Sequence, residues 1–324
     1  MRKLILPTIL SFVAMPLAAQ PIADEAPPPA MADQVKAATA AAEAGGEGPF
    51  KAEMVSDPRL PTHTIYRPRN LAAAAKAGKL PIIAWGNGAC ANIGNRFRYF
   101  LTEVASNGYL VIAIGPRGPQ VVEWKASLTP PGAPPPAERP QDSYAIQLTD
   151  AIDWARAENA RKGSPYFGKL DTAAIAVMGQ SCGGLQAISA AATDKRVKTL
   201  VVLNSGTFAE TVRPLAGTGD ANKGFLKRIH MPVAWITGDA SDVAFPNANA
   251  DFAAFTTGPA LRAYKQGIGH SVHWREPHGG PFTPVVIDWL DAWLKHRTAR
   301  AATFSGPACK LCRAEGWTVQ RKGL

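Results

Sequence analysis

The sequence predicts an α/β fold, a mostly parallel central sheet covered by helices on both faces, and three observations predict it. Short, nearly continuous apolar runs recur at Pro81–Trp85, Tyr109–Ile114, Ile175–Met178 (within the strand Asp171–Met178), Thr199–Leu203 and Val233–Ile236, and a last strand is read at Leu261–Lys265. Unbroken apolar runs of that length are the mark of strands buried on both faces. Between them lie helix-length segments, and strands alternating with helices imply parallel crossovers. Third, the run ending at Met178 passes through Gly179-Gln180-Ser181-Cys182-Gly183-Gly184 straight into an Ala-rich helix. A G-x-S-x-G between strand and helix is a sharp elbow that leaves the serine exposed at the strand's carboxyl end, over free helix N-terminal N–H groups.

Taken in order, Lys51–Val55 and Thr62–Tyr66 read as a leading antiparallel hairpin, with Asp57-Pro58 and Pro61 between them. Leu71–Gly78 is an Ala-rich connector. After Trp85 comes the turn Gly86-Asn87-Gly88-Ala89-Cys90. Asn95–Ser106 has helical spacing at Phe97, Phe100, Leu101 and Val104 and stops at Asn107-Gly108. Residues 117–140 carry seven prolines, so neither a helix nor a central strand runs through them. Such an insertion is a lid over the site or a passive surface loop. Asp142–Ala160 reads as a helix with Ile146, Leu148, Ile152 and Trp154 near one face, a further helix lies near Asn247–Phe255, and Pro284–His296 closes the domain as an amphipathic helix.

With 46% hydrophobic and 19% charged residues over 324 positions, the composition is that of a globular chain with ample core. The +10 net charge is spread along it without an arginine-rich, aromatic-interleaved block, which argues against nucleic acid as a partner. Arg2 and Lys3 precede the apolar run Leu4–Leu17 and small residues follow, so residues 1–19 read as a secretory signal peptide cleaved near Ala19-Gln20. The run is short and broken by prolines, so no stable membrane insertion is expected after cleavage. Residues 20–47 read as a flexible or weakly helical Ala/Pro-rich leader outside the fold, 48–300 as the catalytic domain, and 301–324 as a tail carrying Cys309-Lys310-Leu311-Cys312. The expected location is periplasmic or secreted, where disulfides persist.

The elbow asks for a base and an acid. A serine hydroxyl is a poor nucleophile until a histidine, itself oriented by a carboxylate, takes its proton. Both follow later strands: Asp242 after the run ending at Ile236, with Asp239 as the fallback, and His270 after the last strand, flanked by Gly269 and Ser271. His273 and His278 share the His270 loop, but the trio lacks the carboxylate or cysteine spacing of a zinc site, so no metal and no organic cofactor is expected. The developing oxyanion needs two N–H donors. One is the amide of Cys182 and the other that of Ala89, with Gly88 as fallback. That geometry makes Cys90 and Cys182 near neighbours, predicting a Cys90–Cys182 disulfide with Cys309–Cys312 as the second, against the alternative of buried free thiols. Trp85 and Trp274 are expected to line the substrate pocket, or to serve as packing.

On these residues the stretch from about 48 to 297 resembles a secreted α/β-hydrolase of the broad group containing dienelactone hydrolases, bacterial cutinases and polyester hydrolases, and platelet-activating-factor acetylhydrolases. The resemblance implies an α/β-hydrolase fold, a Ser181-His270-Asp242 triad, Ala89 and Cys182 as oxyanion donors, and an ester substrate, small or polymeric. Two positions depart from the pattern. Bacterial cutinases usually carry Met where this chain has Cys182, and dienelactone hydrolases a Cys nucleophile where it has Ser181. An amidase or acyltransferase could use the same machinery, and a binding protein that keeps the fold is the alternative from another class.

Overall fold

A computed structural model describes residues 29–118, 143–209, 211, 212, 214–307 and 309–324. The expectations for the signal peptide, for residues 20–28 and for all but Arg117 and Gly118 of the Pro-rich segment lie outside the described residues. In chain order the elements are α1 (Pro29–Ala44), β1 (Ala52–Val55), β2 (His63–Pro68), α2 (Leu71–Ala77), β3 (Leu80–Gly86), α3 (Arg98–Ser106) and β4 (Leu110–Ile114). They continue with α4 (Ile146–Ala160), β5 (Leu170–Gln180), α5 (Cys182–Thr193), β6 (Thr199–Leu203), β7 (Val233–Gly238), α6 (Phe245–Ala254), β8 (Ala260–Lys265), α7 (Phe282–Leu294) and β9 (Trp317–Lys322).

The strands form one nine-stranded sheet in the order β1-β2-β4-β3-β5-β6-β7-β8-β9. From β4 through β8 all neighbours are parallel, while β1, β2 and β9 add antiparallel edges. The apolar runs are central strands, and their side chains divide by parity. Ile82, Ile112, Val177, Val202 and Trp235 face one core with residues of α2, α4, α5 and α6. Ile83, Val111, Met178, Val201 and Ile236 face the other with α3 and α7. Ile146, expected on the buried face of α4, is 62% exposed.

The chain leaves β3 for β4 on one side and returns to β5 on the other, where Gly86 pairs with Gly179. Strand order therefore reverses between β3 and β5. In open parallel sheets the crevice outside the carboxyl ends at such a point is where ligands bind. The two loops that open on it are Asn87–Cys90 and Ser181.

Two boundaries differ from expectation. From Pro29 on, the leader is not outside the fold: Ala38 is fully buried, the Thr39 hydroxyl lies 2.9 Å from that of Tyr99, and the Glu47 N–H donates to Glu103 Oε2. The Ala-rich stretch that reads as low complexity is also a strong helix former with a thin side-chain shell, so it packs closely. Nor is 301–324 a separate tail. Phe304, Cys309 and Leu311 are buried in the second core, and β9 pairs antiparallel with β8, covering an edge that would otherwise be open. The Cys309–Cys312 disulfide, with Cα atoms 5.3 Å apart, closes the turn before β9. Among the described residues no helix is long and apolar enough to cross a membrane.

Candidate active site

Gln180 ends β5 and Cys182 opens α5, leaving only Ser181 to turn the chain, at φ 53 and ψ −120. This is a sparsely populated conformation for a residue with a side chain, held by its surroundings. The Ser181 N–H donates to Leu203 O (2.9 Å), and the Ser205 hydroxyl donates to Ser181 O (2.6 Å). Gly183 is required by contact: a Cβ there would lie 2.0 Å from Gly86 O and 2.6 Å from Asn87 N.

The turn aims the Ser181 hydroxyl at His270. Nε2 of His270 is 3.0 Å from Ser181 Oγ, and Nδ1 is 2.6 Å from Asp242 Oδ1. With Asp242 ionised, Nδ1 carries the proton and donates it, leaving Nε2 as acceptor for the serine hydroxyl. The Asp242 side chain is buried and satisfied on both oxygens. Oδ1 also accepts the Ala244 N–H (2.9 Å), and Oδ2 accepts the Asn204 side-chain amide (2.7 Å) and the Gly238 N–H (3.1 Å). Burial opposes its ionised form, but the bonds from His270, Ala244 and Asn204 prevail and hold the carboxyl below its usual range. The fallback acid Asp239 is elsewhere: its oxygens take Ser241 and the Gly267 N–H on the surface.

Opposite the elbow, Gly88–Cys90 form a single tight turn in which Ala89 (φ 57) and Cys90 (φ 47) both have left-handed backbone. A Cβ on Gly88 would lie 2.0 Å from Gln180 Oε1, so this turn rests on the residue before the serine. The Cys90–Cys182 disulfide, Cα atoms 5.2 Å apart, ties it covalently to the first residue of α5. The amides of Ala89 and Cys182, the two expected oxyanion donors, thus flank one covalent link, and the Cys182 N–H belongs to the helix turn without intrahelical partners. Where the chain returns at Ser143, its N–H and hydroxyl both bond Cys90 O (2.8 and 2.9 Å).

The three histidines of one loop go separate ways. His278 bonds Glu103 (2.8 Å) and Glu47 (3.4 Å) beneath α1. His273 is buried between the rings of Trp274 and Phe282, centroids 4.6 and 4.4 Å away, and among the described residues neither ring nitrogen has a hydrogen-bond partner. Burial pushes its pKa down to about 3, so it stays neutral in the folded protein. Between its ordinary 6.5 and about 3 the unfolded chain binds a proton there that the folded chain does not, so stability falls as pH falls through that window. We expect His273→Phe to remove on the order of 2 kcal/mol of the stability lost by the wild type between pH 7 and 4.5, measured by urea unfolding at both pH values. An equal loss in both proteins would contradict this.

Trp85 and Trp274 do not line an open pocket. They are 0% and 3% exposed, packed against Phe97 and Phe100, with indole N–H groups on Asn87 Oδ1 (2.9 Å) and Asn204 Oδ1 (3.1 Å). Trp85 points from β3 into the same core as Ile83, and Trp274 packs into that core as well. The exposed large apolar side chains near the site are others. Val243, beside Asp242, is 73% exposed and Val272, two residues after His270, is 55% exposed. Tyr144 and Leu215 are also exposed, on two segments joined by the Ala145 N–H to Gly217 O bond.

Sequence reasoning missed Asn204, Ser205 and Gln180, whose side-chain amide donates to His270 O (3.1 Å). Asn204 and Ser205 directly follow β6, and their position at a strand's carboxyl end was the available signal. What the residues form together is a serine, a histidine and a buried carboxylate in one hydrogen-bonded line at the sheet's switch point. No family model matches the chain, and no curated protein does.

Proposed function

We propose that this chain is a serine hydrolase of the α/β-hydrolase type, cleaving carboxylic esters through an acyl-enzyme. The observation that carries the reading is the continuous Ser181–His270–Asp242 hydrogen-bond line. Ser181 Oγ attacks the ester carbonyl as its proton passes to His270 Nε2. Asp242 holds His270 through Nδ1 and stabilises the imidazolium. The tetrahedral oxyanion is met by the Cys182 and Ala89 amides. His270 returns the proton to the departing alkoxide, which leaves as the alcohol. Water, deprotonated by His270, then attacks the acyl-enzyme and releases the acid. The sequence of steps uses neither metal nor organic cofactor.

Exposed Val243 and Val272, on the loops that carry Asp242 and His270, favour an ester with apolar parts, small or polymeric. Both disulfides fit an extracellular or periplasmic protein, in keeping with residues 1–19 as an export signal. The test is turnover of a chain-length series of p-nitrophenyl esters by the protein. Hydrolysis well above the rate in buffer supports the reading. A folded protein inert to every ester overturns it and leaves an amidase, an acyltransferase or a binding protein.

Cys90 and Cys182 are 92 positions apart. In the chain-entropy picture a loop of that length contributes about 4–5 kcal/mol. The Cys90→Ser, Cys182→Ser pair is expected to lower stability by a comparable amount and kcat by roughly tenfold or more, since the turn bearing Ala89 loses its tether. Unchanged kcat in the folded double variant would remove the tether from the catalytic account.

A further inference from the structure

Asn204 follows β6 in left-handed backbone (φ 43), is fully buried, and its own N–H donates to Ile236 O at 2.8 Å. Its side chain reads both ends of one environment. Nδ2 donates to Asp242 Oδ2 (2.7 Å) and approaches the carbonyl of Gly269, the residue before His270, at 3.4 Å. Oδ1 accepts the indole N–H of Trp274 at 3.1 Å.

An amide can turn end for end, and the wrong end would set a carbonyl oxygen against the Asp242 carboxylate. An indole N–H is a donor only, so Trp274 can satisfy only the oxygen of Asn204, and the NH2 is left facing the acid. Trp274 has no room to move. Its ring meets Phe100 at 5.2 Å, Phe97 at 5.5 Å, Phe282 at 5.8 Å and Trp85 at 6.4 Å.

We propose that Asn204 is a positioning residue for the reaction, locked by Trp274, and that the pair fixes Asp242 Oδ2 so that Oδ1 stays aligned on His270 Nδ1. The proposal rests on the hydrolase reading above. A buried aromatic cluster, with no surface offered to substrate, thereby sets the orientation of the catalytic acid. The competing account gives Asn204 a backbone role alone, because Asn tolerates left-handed geometry better than most residues.

Asn204→Gly separates the two, since Gly keeps the backbone and removes only the amide. Trp274→Phe removes the lock and leaves a ring, and Asn204→Asp keeps the shape while adding a carboxyl beside Asp242. The readouts are kcat and KM of p-nitrophenyl ester hydrolysis, with thermal unfolding alongside. Asn204→Gly is expected to lose about ten- to hundredfold in kcat with KM changed no more than about twofold, as for a hydrogen bond to a charged group. Trp274→Phe moves kcat the same way by a smaller factor. Asn204→Asp sets a second buried carboxyl against Asp242 Oδ2, where the two share one proton, so kcat falls at least as far as in Asn204→Gly. Wild-type kcat in both Asn204→Gly and Trp274→Phe overturns the proposal. If Asn204→Gly does not fold, wild-type kcat in both Trp274→Phe and Asn204→Asp overturns it equally. A wild type inert to all esters and to serine-directed probes fails earlier, at the reading of the site itself, and takes this proposal with it.

Discussion

The Ser181→Ala protein is expected to fold normally and to lose ester turnover by roughly 10⁴- to 10⁶-fold, the cost of removing a nucleophile whose base and acid remain in place. The backbone bonds that hold this residue at φ 53, its N–H on Leu203 O and its carbonyl under the Ser205 hydroxyl, do not involve Oγ. The hydroxyl's bond to His270 is part-buried, and its loss changes stability by about 1 kcal/mol. A melting temperature within a few degrees of wild type, beside vanished turnover, is the signature. A variant that keeps turnover within tenfold would remove Ser181 from the chemistry.

Gly183→Ala is expected to do the opposite, damaging the fold first. The added methyl would sit 2.0 Å from Gly86 O and 2.6 Å from Asn87 N, both backbone atoms at the end of β3. No flexible side chain can give way there, so either α5 moves off β3 or the elbow opens. We expect destabilisation of roughly 3 kcal/mol or more, with activity lost alongside. Gly163→Ala is the control. Gly163 has φ +83, but a methyl added there would meet nothing within 4 Å, so that change costs only the backbone preference, about 1 kcal/mol. Equal effects of the two substitutions, read by chemical unfolding, would show that crowding at the elbow is not what requires glycine.

The central strands were legible because a sheet covered on both faces leaves an unbroken apolar run, as β3, β4, β6, β7 and the second half of β5 do, while β8 carries the buried Arg262. The elbow was legible because its glycines are forced by contacts as close as that of Gly183 with Gly86. Asp242 was separable from Asp239 by distance beyond the strand: Asp239, next to β7, turns outward to Gly267, and three more residues let the chain fold back to His270. What stayed hidden depends on partners far along the chain. Helix α1 gains its place through α3 and His278, and β9, an alternating six-residue strand, through β8. Trp85 and Trp274 stayed open between pocket and packing because a tryptophan beside such a loop has the same sequence signature whether it faces a cavity or a core. Asn204 gave no motif at all, since its role exists only where β6, β7 and the histidine loop converge.

Reaction of the protein with a fluorophosphonate probe, followed by intact mass and peptide mapping, tests the central claim most directly. The account predicts a single adduct, carried by Ser181 and absent from Ser181→Ala, because only a serine activated by a histidine–carboxylate pair attacks the phosphorus at a useful rate. A folded protein that takes up no adduct, or takes it up at another serine, would contradict it.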